Sequence, residues 1–166
     1  YATPYLVLYV IDFLSEAKRR GYRVPDSALL QARQWIGRST RNLRFDGSNK
    51  SGAEAFRTAT YANYLLSREW QPEIGDLRYL ADRSANQVGD PLALAQLGAA
   101  LALAGESARA RTVMTRAEGE IGYGNASDYY RSTLRDSAAV LALALEAKDM
   151  PVAERAELVS RLFAAS

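Results

Sequence analysis

The chain has 166 residues, 21 of them basic and 19 acidic, which gives a formal net charge of +2 at pH 7. It contains no cysteine and no histidine, which excludes a thiol nucleophile, a Cys/His zinc site, a catalytic histidine and a disulfide bond within these residues. The length fits one domain or a large piece of one. Nucleic acid is disfavoured as a partner, because the local run of basic residues at 18–23 ends a predicted helix, where the helix dipole explains it, and is not the dense basic stripe of a nucleic-acid-binding protein.

The first helix signals lie at Thr3 and Pro4, a capping hydroxyl followed by proline at the first helical position. An apolar stripe at i, i+3, i+4 and i+7 spacing then predicts the buried face of a helix that ends at Gly21. The stripe consists of Leu6, Tyr9, Val10, Phe13, Leu14 and Ala17. Since Tyr5 and Leu8 lie off this stripe, we expect a helix that is apolar over much of its circumference and lies in the interior.

A second helix is predicted from Pro25 to about Arg38, and residues 39–50 form the most loop-like segment of the chain. Ser51 and Glu54 form a capping box that predicts the start of a third helix. Its apolar stripe consists of Ala55, Ala59, Ala62 and Leu66.

A shorter helix is predicted over roughly Gly75 to Ala85. Asp90 and Pro91 open a fifth helix, which is almost wholly apolar to Ala104. A sixth helix is predicted from about Ser107 to Glu118, and its buried face consists of Ala110, Val113, Met114 and Ala117.

Two further helices are predicted in the last third of the chain. The seventh begins near Ser132 and carries a stripe of Leu134, Ala138, Leu141 and Leu145. The eighth begins at Pro151 and carries Val152, Ala156, Val159 and Leu162. Because no segment shows a sustained alternation of period two, the chain is predicted to be all-α.

The helices fall into pairs that open near residues 3, 51, 90 and 132, a spacing of about 40 residues. We interpret them as helical hairpins over about 3–38, 51–87, 90–118 and 132–165. Such hairpins stack side by side, with the first helices in an inner layer and the second helices outside. An irregular helical bundle is the alternative.

Several stretches resemble the thioester-containing domain of bacterial alpha-2-macroglobulins. The ordered signals are Gly21-Tyr22-x-Val24-Pro25 after the first helix, then Gly75-Asp76-Leu77-Arg78-Tyr79-Leu80, and finally Leu134-Arg135-Asp136. The resemblance covers nearly the whole chain and implies an α/α toroid, which normally has six hairpins, four of them here. Residues 1–166 are then a single all-helical domain or the C-terminal two-thirds of a toroid domain.

The resemblance also implies a role in a large periplasmic or cell-envelope protein that entraps endopeptidases after they cleave its bait region. It implies a scaffold that is not an enzyme and needs no cofactor. The implied partners are the neighbouring domains of the parent chain and, through the parent protein, proteases. Thioester-bearing members use a Cys-x-Glu-Gln segment, and this chain has no cysteine. Either that segment lies upstream of Tyr1, or the parent lacks the thioester.

Few residues qualify as site candidates, and none is predicted to be catalytic, cofactor-binding or metal-binding. Tyr123, Tyr129 and Tyr130 lie in and after a glycine-rich stretch, where they would shield a reactive site, pack against a neighbouring domain or simply fill the core and rim. We expect Arg135 and Asp136 to have a structural role in the first turn of the seventh helix.

Two alternatives come from other functional classes. A tetratricopeptide-like binding module fits residues 92–117 locally, although its repeat is about 34 residues; it predicts a groove lined by exposed Tyr, Arg and Asn on inner helices. A toroid glycosidase or lyase is suggested by Glu69 and Glu73 beside Trp70. It predicts a cleft that holds two carboxylates with raised pKa values.

The most apolar window, Leu92 to Ala104, is 13 residues long, too short to cross a bilayer, so we expect no membrane insertion of this piece. Four hairpins of a six-hairpin ring leave a flank open. We therefore expect the isolated piece either to dimerise through that flank or to be partly disordered at residues 39–50.

Overall fold

The computed structural model describes residues 3–40, 50–121, 133–147 and 159–160, and within these ranges it contains helices and no strand. The predicted all-α class is therefore confirmed. The α-helices, in chain order, are α1 Pro4–Arg19, α2 Asp26–Thr40, α3 Lys50–Glu69, α4 Ile74–Tyr79, α5 Pro91–Leu103, α6 Ser107–Gly119 and α7 Thr133–Glu146. Most of the predicted eighth helix lies outside the described residues, as do residues 41–49 of the predicted loop.

The helix ends that carry the clearest local signals lie where they were predicted. The Thr3 hydroxyl accepts a hydrogen bond of 3.4 Å from a backbone amide in the first turn of α1. The Asp90 carboxylate does the same at α5, at 3.0 Å. Gly21 and Gly105 follow the ends of α1 and α5 with φ of 86° and 80°, a left-handed conformation that glycine adopts without strain.

Other boundaries differ from the sequence prediction. The predicted helix over 75–85 is α-helical only to the end of α4, and the chain continues as a π-helical turn over Leu80–Ser84 and a 3₁₀ turn over Ala85–Gln87. Helix α3 begins one residue before Ser51, whose side chain lies outside the described set, so the capping box stays a prediction.

Helix α5 is the most deeply buried element, with 11 of its 13 residues buried. Its sequence is apolar all round, which is typical of a helix enclosed by others, and α3, α4, α6 and α7 all contact it. Gly98 allows α6 to come close, because a Cβ atom at that position would lie 3.0 Å from the Cε of Met114.

The helices form two layers. Each of the inner helices α1, α3 and α5 contacts the next inner helix along the chain, and α2, α4 and α6 each contact at least one inner helix. The inner helices run parallel: Asp12 in the second half of α1 bonds Arg68 near the end of α3, and Arg57 in the first half of α3 bonds Asp90 at the start of α5. The layering agrees with the predicted stack, and the hairpin boundaries stay a prediction.

The predicted face of α1 is wrong. Leu8, Ile11 and Ser15 are the buried residues of the helix, because α1 lies at the end of the inner row and packs against α2 and α3 on one side. Most of the predicted stripe faces solvent instead. Its exposed members, which we call the α1 stripe, are Leu6 (52% exposed), Tyr9 (62%), Val10 (49%) and Phe13 (67%).

The predicted face of α7, at the other end of the inner row, is also wrong. Its buried residues include Val140, Leu143 and Ala144, whereas Ala138 and Leu145 of the predicted stripe are exposed. Both helices have apolar residues on two sides, and the pattern alone does not say which side meets a neighbour. The predicted face of α6 is confirmed, with all four of its residues buried.

Candidate functional site

A set of polar side chains joins three inner helices near their C-terminal ends. We call it the Arg68 cluster, and its members are Asp12 from α1, Tyr61, Tyr64, Arg68 and Glu69 from α3, and Glu146 from α7. Asp12 is the first charged residue of α1, since residues 4–11 carry no charge. A carboxylate directly after an uncharged run of helical residues is the sequence signal that could have revealed the cluster.

Arg68 lies at the centre of the cluster, and its side chain is only 9% exposed. Its Nη2 donates a hydrogen bond of 2.6 Å to Asp12, and its Nε donates one of 2.6 Å to Glu69. Its Nη1 donates to the Tyr64 hydroxyl at 3.3 Å, and the guanidinium lies 5.1 Å from the centre of the Tyr64 ring. The buried cation therefore has two carboxylate partners and an aromatic face, as a desolvated arginine requires.

The two tyrosines extend the cluster to both neighbouring helices. The Tyr61 hydroxyl donates a hydrogen bond of 2.6 Å to the second carboxylate oxygen of Asp12 on α1. The Tyr64 hydroxyl donates to Glu146 on α7, and Arg19 of α1 lies 3.8 Å from the same Glu146 carboxylate. The cluster therefore links α1, α3 and α7 directly.

Burial and hydrogen bonding fix the protonation states of the cluster. Burial raises the pKa of Tyr61 and of Tyr64 well above its ordinary value, and the hydrogen bonds to Asp12 and Glu146 raise it further. Burial lowers the pKa of the Arg68 guanidinium, but the hydrogen bond and charge of Asp12 more than reverse this, so the net direction is upward. Near neutral pH the cluster holds a charged arginine and two neutral phenols, which suits a cross-link between helices.

The structure places Arg135 and Asp136 in the first turn of α7. Arg135 donates hydrogen bonds to the Asp136 carboxylate from Nη2 at 2.8 Å and from Nε at 3.1 Å. Asp136 is 6% exposed. The position agrees with the predicted helix start, and the structural role stays a prediction. Tyr123, Tyr129 and Tyr130 lie outside the described residues.

The acid pair that suggested a glycosidase is divided between two environments. The Glu69 side chain is 17% exposed and is paired with Arg68, whereas Glu73 is exposed and lies just before α4. A tetratricopeptide-like module was expected to have a groove lined by Tyr, Arg and Asn on its inner helices. The inner helix α1 exposes the apolar α1 stripe instead.

The described part of the chain offers neither an acidic metal-binding cluster nor a membrane-spanning helix. Within it, no group of three or more Asp or Glu side chains is arranged to hold a metal ion. None of the helices described there combines the length and the apolarity that a bilayer crossing demands.

Comparison with known proteins identifies relatives of one kind, although no protein-family model matches the chain. Alpha-2-macroglobulin of Xylella fastidiosa (strain Temecula1 / ATCC 700964) is 31% identical over 147 residues, which cover 84% of this chain and 9% of the relative. Alpha-2-macroglobulin of Escherichia coli (strain K12) is 29% identical over 157 residues, which cover 89% of this chain and 9% of the relative.

Solved structures give the same result. Salmonella alpha-2-macroglobulin reacted with methylamine matches with a TM-score of 0.81 and 30% identity, over 99% of this chain and 11% of that one. Native Escherichia coli alpha-2-macroglobulin, in a structure from domain MG7 to the C-terminus, matches with a TM-score of 0.76 and 28% identity, over 95% of this chain and 25% of that one. The chain thus spans 9% of the length of the curated relatives that it matches.

Proposed function

Because the chain belongs to the bacterial alpha-2-macroglobulin family over the segment that it shares with these proteins, we propose that it is a helical scaffold of a protease-trapping inhibitor and not an enzyme. It corresponds in this proposal to the C-terminal part of the thioester-type toroid domain. The parent protein acts in the periplasm or cell envelope, and its partners are proteases.

The observation that carries the scaffold role is the α1 stripe. Four large apolar side chains, each about half exposed or more, lie on consecutive turns of a helix that has no charge from Pro4 to Ile11. Exposed apolar surface of this kind marks contact with another protein part. Since the relatives are about ten times longer than the matched segment, we assign the stripe to a contact with another helical part of the parent polypeptide.

The chemistry of trapping lies outside these residues in this proposal. The sequence has no cysteine, and the Arg68 cluster holds its acids and phenols in hydrogen bonds that join helices. Tyr123, Tyr129 and Tyr130 shield a reactive site or pack against a neighbouring domain, and Arg135 and Asp136 stabilise the start of α7.

The test uses a parent-length protein that contains this segment, incubated with trypsin. A trap leaves trypsin active on a small peptide substrate and protects large protein substrates from it. Covalent incorporation of methylamine then separates a thioester-bearing parent from a parent that lacks the bond. If large and small substrates are cleaved equally, the proposal is wrong.

The role of the α1 stripe is tested in the same protein. Phe13→Glu places a charge in the stripe and should weaken the protection of large substrates, because the covering contact has to desolvate the new carboxylate. Ile74→Glu is the matched control, since Ile74 on α4 is also an exposed apolar side chain (40%) but lies outside the stripe. Equal behaviour of the two variants would contradict the assignment of the stripe.

A further inference from the structure

A groove of about 460 Å³ lies between α1, α2 and the end of α3, within the size range of ligand pockets. Its apolar wall consists of Leu29 and Leu30 from α2 and of Trp70, which follows α3. Leu30 is 56% exposed, and Trp70 is half-buried against the core. Helix α1 and the polar side of α2 supply the rest of the lining.

The charges around the groove are balanced with one exception. Asp26 forms an ion pair with Lys18 at 2.6 Å, and Glu69 forms one with Arg68, also at 2.6 Å. Arg19 pairs with acids on α1 and α7. Arg33 on α2 is exposed and makes no ion pair with any residue in the described ranges. Among the described residues, the groove therefore presents one guanidinium without an ion pair beside an apolar wall.

We propose that this groove binds an extended peptide segment in which an acidic side chain stands next to an aliphatic one. Arg33 pairs with the carboxylate of the peptide, because its guanidinium has donors for two carboxylate oxygens and the two acids of the lining, Asp26 and Glu69, are paired with Lys18 and Arg68. The aliphatic neighbour packs on Leu30 and Trp70. Lys18 and Asp26 also line the groove, but their opposite charges cancel. The net charge that the groove offers is therefore that of Arg33, which selects an occupant with one negative charge. This site does not depend on the proposed trapping function.

The experiment titrates the ¹⁵N-labelled 166-residue chain with an acetylated and amidated peptide of sequence Gly-Leu-Glu-Leu-Gly, followed by NMR. We expect shifts of the backbone amides of Ser15, Leu30 and Trp70, which line the groove. Replacing Glu by Gln in the peptide should weaken binding about fivefold, which is the largest effect on affinity that a single exposed ion pair usually has. Added salt should weaken binding of the Glu peptide only.

Arg33→Gln should weaken binding of the Glu peptide by the same factor, while Arg38→Gln should leave it unchanged. Arg38 is the matched control because it is an exposed arginine on the same helix and does not line the groove. Both positions are at the surface, so both variants are expected to fold, which circular dichroism checks.

Three results would overturn the proposal. One is an equal effect of the two arginine variants, and another is a set of shifted amides away from the groove. The third is full competition by sodium acetate at the concentration of the peptide, which would show a simple anion site without recognition of a peptide.

Discussion

The guanidinium of Arg68 on α3 donates a hydrogen bond of 2.6 Å to the carboxylate of Asp12 on α1, 56 positions earlier in the chain. The Arg68 side chain is 9% exposed and that of Asp12 is 28% exposed, so water screens this pair weakly. Buried pairs of this kind add little over an apolar contact when intact, but they are costly to break on one side.

Removing Arg68 is therefore expected to destabilise the fold strongly. Arg68→Met leaves the carboxylates of Asp12 and Glu69 without their cation and should lower the free energy of unfolding by about 3 kcal/mol. The measurement is urea unfolding of the 166-residue chain. Arg78→Met is the matched control, because Arg78 pairs with Glu106 from a side chain that is 54% exposed, and it should cost less than about 1 kcal/mol. Similar costs for both variants would contradict the central position of Arg68.

Stability should fall at alkaline pH because of the two cluster tyrosines. The folded state raises the pKa of Tyr61 and Tyr64 above the ordinary value near 10.0, so the folded state holds these protons more tightly than the unfolded state. Their contribution is fully present below pH 10 and is lost as the pH rises towards the folded-state pKa values. Urea unfolding between pH 8 and 11 should show the loss only above about pH 10. Tyr61→Phe should make the free energy of unfolding fall less steeply with pH above about pH 10. Tyr9→Phe, at an exposed position, should leave that pH dependence unchanged.

The face of α1 is tested by two leucines two residues apart. Leu8 is fully buried and Leu6 is 52% exposed. Leu8→Ala should lower the free energy of unfolding by about 3 kcal/mol through lost burial and a cavity, and Leu6→Ala by less than about 0.5 kcal/mol. Thermal and urea unfolding of both variants measures this. A larger loss of stability for Leu6→Ala than for Leu8→Ala would mean that the face predicted from the sequence is the buried one.

Two glycines in helices should respond in opposite directions. A Cβ atom added at Gly98 would lie 3.0 Å from Met114 and 3.5 Å from the backbone oxygen of Ala110 on α6, so Gly98→Val should cost about 1–3 kcal/mol. Gly37 in α2 has nothing within 4 Å of that position. Gly37→Ala should stabilise the chain by about 0.5–1 kcal/mol through helix propensity. Unfolding curves that show stabilisation at Gly98 would mean that α5 and α6 are packed less closely.

The isolated 166-residue chain should associate through the α1 stripe, as the open flank of the predicted ring suggested. Light scattering after size-exclusion chromatography should show a dimer that dissociates on dilution, and Phe13→Glu should shift it to monomer. Leu103→Glu, on α5 and 42% exposed, is the control that should keep the dimer. A wild-type chain that stays monomeric at high concentration would contradict this prediction.

The features that sequence reasoning predicted well are local ones. The caps at Thr3 and Asp90 depend on a hydrogen bond three residues away, and the glycine ends depend on one φ angle. The face of α6 was predictable because its polar residues occupy the opposite side. Helix α1 has no such asymmetry, and which of its apolar sides is buried depends on α2 and α3.

The Arg68 cluster was missed for a related reason. Its bonds join positions 49, 56 and 82 residues apart, and a single sequence has no pattern that matches an acid in one helix to a phenol two helices later. Asp12 was visible as the first charge after the uncharged start of α1. Its partners became known only when the parallel alignment of the inner helices was known.

That parallel alignment has an electrostatic consequence. The macrodipoles of the inner helices add instead of cancelling, since their peptide units point in one direction. Partial negative charge from the carbonyl ends gathers where α1 and α3 end, and Lys18, Arg19 and Arg68 occupy the last turns of those two helices. At the opposite pole, Asp90 caps α5 and Asp136 lies in the first turn of α7. At these positions the side chains oppose the helix dipoles, whereas Glu69 and Glu146, the last residues of α3 and α7, and Arg135 in the first turn of α7 act in the opposite sense. Lowering the ionic strength should strengthen both effects.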